Sequence, residues 1–155
     1  MHTTRVSRHV DAPPSAVYRA LVDPEAVARW RVPDGMTCEV HEFDAREGGT
    51  FRVSLTYDTA DGTGRSGART DTYHGRFVEL LPDERVVEIS EFETPDPALR
   101  GPMTLTTTLI ALEGGTDVVL VHEGVPDAVP AADNEAGART ALERLAAFVE
   151  GRPES

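Results

Sequence analysis

The sequence predicts an α+β domain in which a curved, seven-stranded antiparallel sheet grips one long C-terminal helix, with two short helices after the first strand. Three observations predict it. Residues 36–123 alternate β-branched and aromatic residues with polar ones and are cut by turn residues. Residues 130–150 repeat apolar side chains at three- and four-residue spacing. Between the first β-like run and the long β block lie two stretches with helix-start chemistry.

The first strand is expected over Arg5 to Val10, where Asp11-Ala12-Pro13-Pro14 breaks it. A helix follows with Val17, Ala20 and Leu21 on one face. Asp23-Pro24-Glu25 then starts a second helix: a capping carboxylate, Pro at the first helical position and an acid near the positive end of the dipole. Val27 and Trp30 form its buried side. The next six strands are expected at 37–43, 50–57, 70–81, 85–92, 103–111 and 117–123, and their short connections make neighbours antiparallel. A two-residue Gly114-Gly115 turn would set Leu109 against Leu120 and Thr107 against His122. That places Leu105, Leu109, Val118 and Leu120 on one face. A turn closed by Pro82 to Arg85 would set Val78 against Ile89, Leu80 against Val87 and Arg76 against Glu91. In the last helix Ala138, Ala141, Leu142, Leu145, Phe148 and Val149 make the buried stripe, Arg139, Glu143 and Glu150 the wet side, and Gly151 with Pro153 the stop. At about 30 Å this helix crosses a whole sheet.

Composition narrows the function. A chain of 155 residues is one domain's worth, so 1–155 is expected to be a single domain. With 27 acidic residues against 15 basic, the net charge of −12 repels phosphate backbones and anionic membrane surfaces. All 15 basic residues are Arg, which excludes Schiff-base chemistry and a P-loop lysine. The lone Cys38 makes no internal disulfide and no paired-cysteine zinc site. No apolar run nears the roughly 20 residues of a membrane span, and Met1 to Val10 lacks the apolar core of an export signal, so a cytoplasmic location is expected.

The motifs are weak. Gly62-Thr63-Gly64-Arg65-Ser66-Gly67 fits G-x-G-x-x-G, but the β-like Arg69 to Tyr73 follows it where phosphate binding needs a helix N-terminus. Residues 58–68 are read as a flexible hairpin loop. His2, His9, His41, His74 and His122 show no zinc-hydrolase spacing, and Ser66 sits in no nucleophile elbow. No metal and no cofactor is expected. The pairs Glu88/Glu91 and Glu91/Glu93 carry no glycosidase signal without a separation.

The element order resembles the START-like superfamily, whose fold is also called helix-grip or Bet v 1-like. Val6 to Trp30, Asp44-Ala45-Arg46-Glu47-Gly48-Gly49-Thr50-Phe51, Gly75 to Leu80 with Pro82 to Val87, and Gly137 to Leu145 resemble the branch named after the C-terminal domain of the activator of Hsp90 ATPase. The resemblance covers nearly the whole chain and implies a fold and a cavity more securely than an activity. Two departures remove bulk: Gly137 precedes Ala138 where the family often has Trp, and Ser90 replaces an aromatic.

A sheet gripping one helix with small residues on it leaves a cavity, so a carrier or sensor for a small, mostly apolar molecule is the first expectation. Trp30, Phe51, Tyr57, Met103, Leu142 and Leu145 are its expected apolar lining, with Ala138 beneath the helix. Thr107, His122 and an Arg76–Glu91 pair would supply polar contacts. The alternatives are an enzyme of the same fold, resembling aromatase/cyclase or hydrolase relatives, with His122 or Glu91 as acid or base, and a co-chaperone-like interaction module. An unprotected edge strand offers a route to a homodimer.

Overall fold

The computed structural model describes residues 1–31, 36–57, 70–94 and 97–151. The chain runs β1 (His2–Val10), α1 (Pro14–Val22), α2 (Pro24–Trp30), β2 (Met36–Phe43), β3 (Thr50–Tyr57), β4 (Thr70–Leu81), β5 (Arg85–Phe92), β6 (Met103–Leu112), β7 (Gly115–Val125) and α3 (Ala131–Glu150). The segment 58–68, read as a loop, falls outside the described residues. The strands form one antiparallel sheet in the order β1-β7-β6-β5-β4-β3-β2. This is the expected helix-grip architecture. No helix among the described residues is long and apolar enough to cross a membrane.

The helices start and stop where their chemistry dictates. Asp23 accepts a hydrogen bond from the Glu25 backbone N–H at 3.0 Å, with Pro24 next in line. Gly151, at φ 74°, closes α3 in the left-handed conformation. All three helices pack on one face of the sheet, because Val17, Leu21, Val27, Trp30, Leu142 and Leu145 share one core with Val6, Phe51, Phe77, Val86, Leu109 and Leu120. That inner face reads in rows across the strands. One row is Phe77, Glu88, Leu105, His122 and Thr4, and the next is Leu80, Val86, Thr107, Leu120 and Val6.

Two expected registers are corrected. Leu112 pairs with Gly115, so the β6–β7 turn is Glu113-Gly114, Leu105 faces His122 and Thr107 faces Leu120. Only Gly114 needs the left-handed region, at φ 87°. Gly115 serves a different purpose: a Cβ there would stand 2.5 Å from the Val10 carbonyl oxygen and 2.8 Å from the His9 ring. The slip is by two residues, so the inward face is unchanged.

In the β4–β5 hairpin, Leu81 pairs with Arg85 and the Glu84 N–H donates to the Leu81 carbonyl at 2.9 Å, with Asp83 at φ 65°. Pro at the second turn position and a left-handed third residue are the marks of a type II turn. A bulge then leaves Val78 unpaired between Phe77 and Glu79. Arg76 therefore faces Ile89, and Glu91 faces His74. A bulge changes which side chains share a face, and it is invisible to a count made outward from the turn.

Candidate functional site

A buried ion pair stands at the centre of the inner face. Arg31 is the residue that caps the C-terminus of α2, and its Nη1 and Nη2 donate to Glu88 Oε1 and Oε2 at 3.1 and 3.3 Å. The Glu88 side chain is 5% exposed and that of Arg31 17%. The guanidinium also lies 4.8 Å from the centroid of the Trp30 ring, a cation–π contact, and Trp30 Nε1 donates to the Ala20 carbonyl at 2.8 Å. Burial works against the Arg31 charge, but Glu88 and Tyr73 more than offset it, so its pKa stands above the ordinary value.

Tyr73 and Cys38 flank the pair. The Tyr73 hydroxyl is buried and has no hydrogen-bond partner among the described residues. Burial raises its pKa, with Arg31 acting the other way, so it is a protonated phenol at neutral pH. Burial likewise raises the Cys38 thiol, again opposed by Arg31. A thiol so placed is not an activated nucleophile.

On the far side of Glu88, beyond Leu105 in the same row, His122 faces inward. Asn134 of α3 holds it: Asn134 Nδ2 lies 3.3 Å from His122 Nδ1 and donates to Thr4 Oγ1 at 2.8 Å. Burial pushes the His122 pKa down and Glu88 pulls it partly back, leaving a neutral imidazole at pH 7.

The expected site residues divide. Trp30, Phe51, Met103, Thr107, Leu142 and Leu145 are buried in the interior, with Ala138 partly buried against the same core. Phe51 stacks edge-on to Tyr73 with ring centroids 6.2 Å apart. Its ring covers Gly75, where a Cβ would stand 2.8 Å from Phe51 Cζ and 2.0 Å from the Ile89 carbonyl oxygen. The side chain of Tyr57 lies outside the described residues. Arg76 and Glu91 are not together and not inside. They border a recess on the outer face with Thr50, His74, Ile89 and Pro102, and Glu91 contacts His74 at 3.3 Å. Among the described residues no group of three or more His, Cys, Asp or Glu side chains is placed to hold a metal ion.

Arg31, Tyr73 and Asn134 escaped the sequence reading, and Glu88 entered it only as half of a carboxylate pair. The available signal was parity: Glu88 follows the buried Val86 by two residues on a strand and so must share its face.

The comparisons fit this architecture. The model of the Activator of Hsp90 ATPase homolog 1-like protein family matches residues 11–150. A solved structure from Chromobacterium violaceum is 36% identical, with a TM-score of 0.85, over 99% of this chain and 100% of that one. One from Rhodobacter sphaeroides shares the fold at 21% identity, TM-score 0.78, over 98% and 95% of the two chains. DynU16, a protein of the dynemicin biosynthetic locus, shares it at 24% identity and TM-score 0.68, this chain covering 48% of that one. A search of curated proteins finds no match. On the span of the family match and the full-length likeness to the Chromobacterium violaceum protein, the chain belongs to the Activator of Hsp90 ATPase homolog 1-like family.

Proposed function

We propose that this protein binds a small, mostly apolar molecule between the inner face of the sheet and α3, as a carrier or sensor. The observation that carries the reading is the Tyr73 hydroxyl, buried among apolar rings without a hydrogen bond of ordinary geometry, beside the charge-neutral Arg31–Glu88 pair whose guanidinium acts on it. Buried polar groups are nearly always satisfied, so an orphan facing the core calls for a guest that satisfies it. The apolar surroundings, Phe51, Phe77 and Trp30, suit a guest that is otherwise hydrocarbon. Chains of this fold commonly hold ligands in the corresponding space, and the net charge of −12 favours a small molecule over nucleic acid or an anionic membrane.

One observation favours a second reading, an enzyme at the same site. His122 is neutral and oriented by Asn134 through Nδ1, which presents its Nε2–H as a general acid or carbonyl-polarising donor. Native mass spectrometry of freshly purified protein tests both. A co-purifying small molecule released on denaturation supports the carrier, its conversion on incubation supports the enzyme, and no uptake from a panel of apolar compounds removes both.

A further inference from the structure

We infer that the molecule held between the sheet and α3 is uncharged and carries acceptor oxygens of the ketone, ester, lactone or ether kind, which Tyr73 Oη and His122 Nε2 bind as hydrogen-bond donors. The inference rests on the cavity reading above and adds the chemistry of the guest.

Arg31 spends both terminal nitrogens on Glu88, and both Glu88 oxygens are taken in return. The pair is therefore closed in charge, while the Arg31 Nε–H and the second proton on each terminal nitrogen remain as donors. Asn134 Nδ2 has two protons, one given to Thr4 Oγ1 and the other directed at His122 Nδ1. His122 Nδ1 is thus the acceptor of the neutral ring, which puts the ring proton on Nε2. That Nε2 has no partner among the described residues. The Tyr73 hydroxyl has none either.

Two neutral donors thus stand on either side of a neutralised ion pair. A hydrocarbon would leave the buried Tyr73 hydroxyl unmet. A carboxylate would enter beside Glu88 with no unspent cation at hand, a poor exchange for its hydration. The remaining inward arginine, Arg8, has a buried Nε without a partner, but it pairs with Val118, about 13 Å along β1 from the Thr4–His122 row, so an anion held there would lie away from the Tyr73 and His122 donors. A cation would find no open carboxylate. An uncharged acceptor alone satisfies the site.

The test uses three fluorescent naphthalenes on the full chain: 6-propionyl-2-dimethylaminonaphthalene, a neutral ketone; 2-dimethylaminonaphthalene, which lacks the acceptor; and 6-dimethylamino-2-naphthoate, an anion. The ketone is expected to bind wild type about tenfold more tightly than either analogue, one neutral hydrogen bond's worth. Tyr73→Phe is expected to remove that advantage and leave the acceptor-free probe unchanged. This variant deletes only an unpartnered oxygen, and circular dichroism confirms its fold. Nitrogen-15 NMR of wild type gives an independent readout: a protonated Nε2 and bare Nδ1 on His122 are expected. The reverse tautomer, the naphthoate binding most tightly, or equal loss of ketone and acceptor-free probe in Tyr73→Phe each overturns the inference while leaving the cavity. Failure of all three probes to bind overturns the cavity and the inference together.

Discussion

Arg31 and Glu88, 57 positions apart in sequence, meet through two hydrogen bonds, and they tie the end of α2 to the middle of the sheet. Breaking such a pair from one side strands the other charge in the core. Glu88→Leu and Arg31→Met are each expected to lower unfolding stability by about 3–5 kcal/mol, the range for a buried pair that loses one member. The double variant Arg31→Met/Glu88→Leu is expected to be far less destabilised than the sum, because neither charge is left alone. Urea denaturation of the four proteins measures the coupling. Additive losses would show that the two groups do not depend on each other.

Three glycines separate backbone crowding from backbone freedom. Gly137 lies within α3 with nothing within 4 Å of a built Cβ, so Gly137→Ala is expected to stabilise by about 0.5–1 kcal/mol. Gly115→Ala and Gly75→Ala would drive a methyl to 2.5 Å from the Val10 oxygen and 2.0 Å from the Ile89 oxygen. Both oppose rigid neighbouring strands, so both are expected to destabilise, Gly75→Ala more. Thermal unfolding midpoints give the order directly.

These positions also show what a sequence can reveal. The helix starts, the turn residues and the strand periodicity are local, and they were sufficient for the element order and the inward face of β6 and β7. Gly115 looked like a turn glycine because its actual neighbours, His9 and Val10, are more than 100 positions away. The Val78 bulge has no local signature, and together with a one-residue tighter turn, which sets Leu80 against Val86, it separated the expected Arg76–Glu91 pair. Val86 and Val87 are both apolar, so the parity of β5 is ambiguous in the sequence and the inward direction of Glu88 is not legible there. Arg31 follows the end of α2, where no periodicity says which way a side chain turns.

Two histidines give stability slopes of opposite sign. Burial depresses the His122 pKa, so its contribution is present above the unfolded value of about 6.5 and is lost as pH falls through the folded value. His9 is raised, first by its hydrogen bond to Asp117, so its contribution is present at low pH and lost as pH rises through the folded value. His122→Gln is expected to flatten the fall in stability below about pH 6.5, by at most about 1.4 kcal/mol per pH unit. His9→Gln is expected to act only at the alkaline end of the histidine range and weakly, since that ring is exposed. Urea midpoints across pH 5–8 check both signs.

Glu93 provides an acid-range control on the outer face. The hydrogen bond from Arg52 chiefly lowers its pKa, to about 2, with His74 assisting. Its favourable contact is present above the ordinary carboxylate value and lost as pH falls towards about 2. The group is exposed, so salt is expected to weaken its effect. Arg52→Gln is expected to raise the Glu93 pKa towards its ordinary value, readable in a carbon-13 NMR titration, without altering probe binding inside.

Ala138 decides whether the interior holds a space at all. It is partly buried on α3 against the core, at the position where the family often carries Trp. If the volume below is open and dry, an indole there fills it, and Ala138→Trp is expected to raise the melting temperature, at roughly 2–4 °C per kcal/mol for a chain of this size. The same variant is expected to abolish binding of the neutral ketone probe by occupying its site. If the volume is already filled, overpacking costs about 1–3 kcal/mol and the melting temperature falls instead. The sign of one thermal shift thus separates a core from a container, and the accompanying binding curve shows whether the container is the one that Tyr73 and His122 serve.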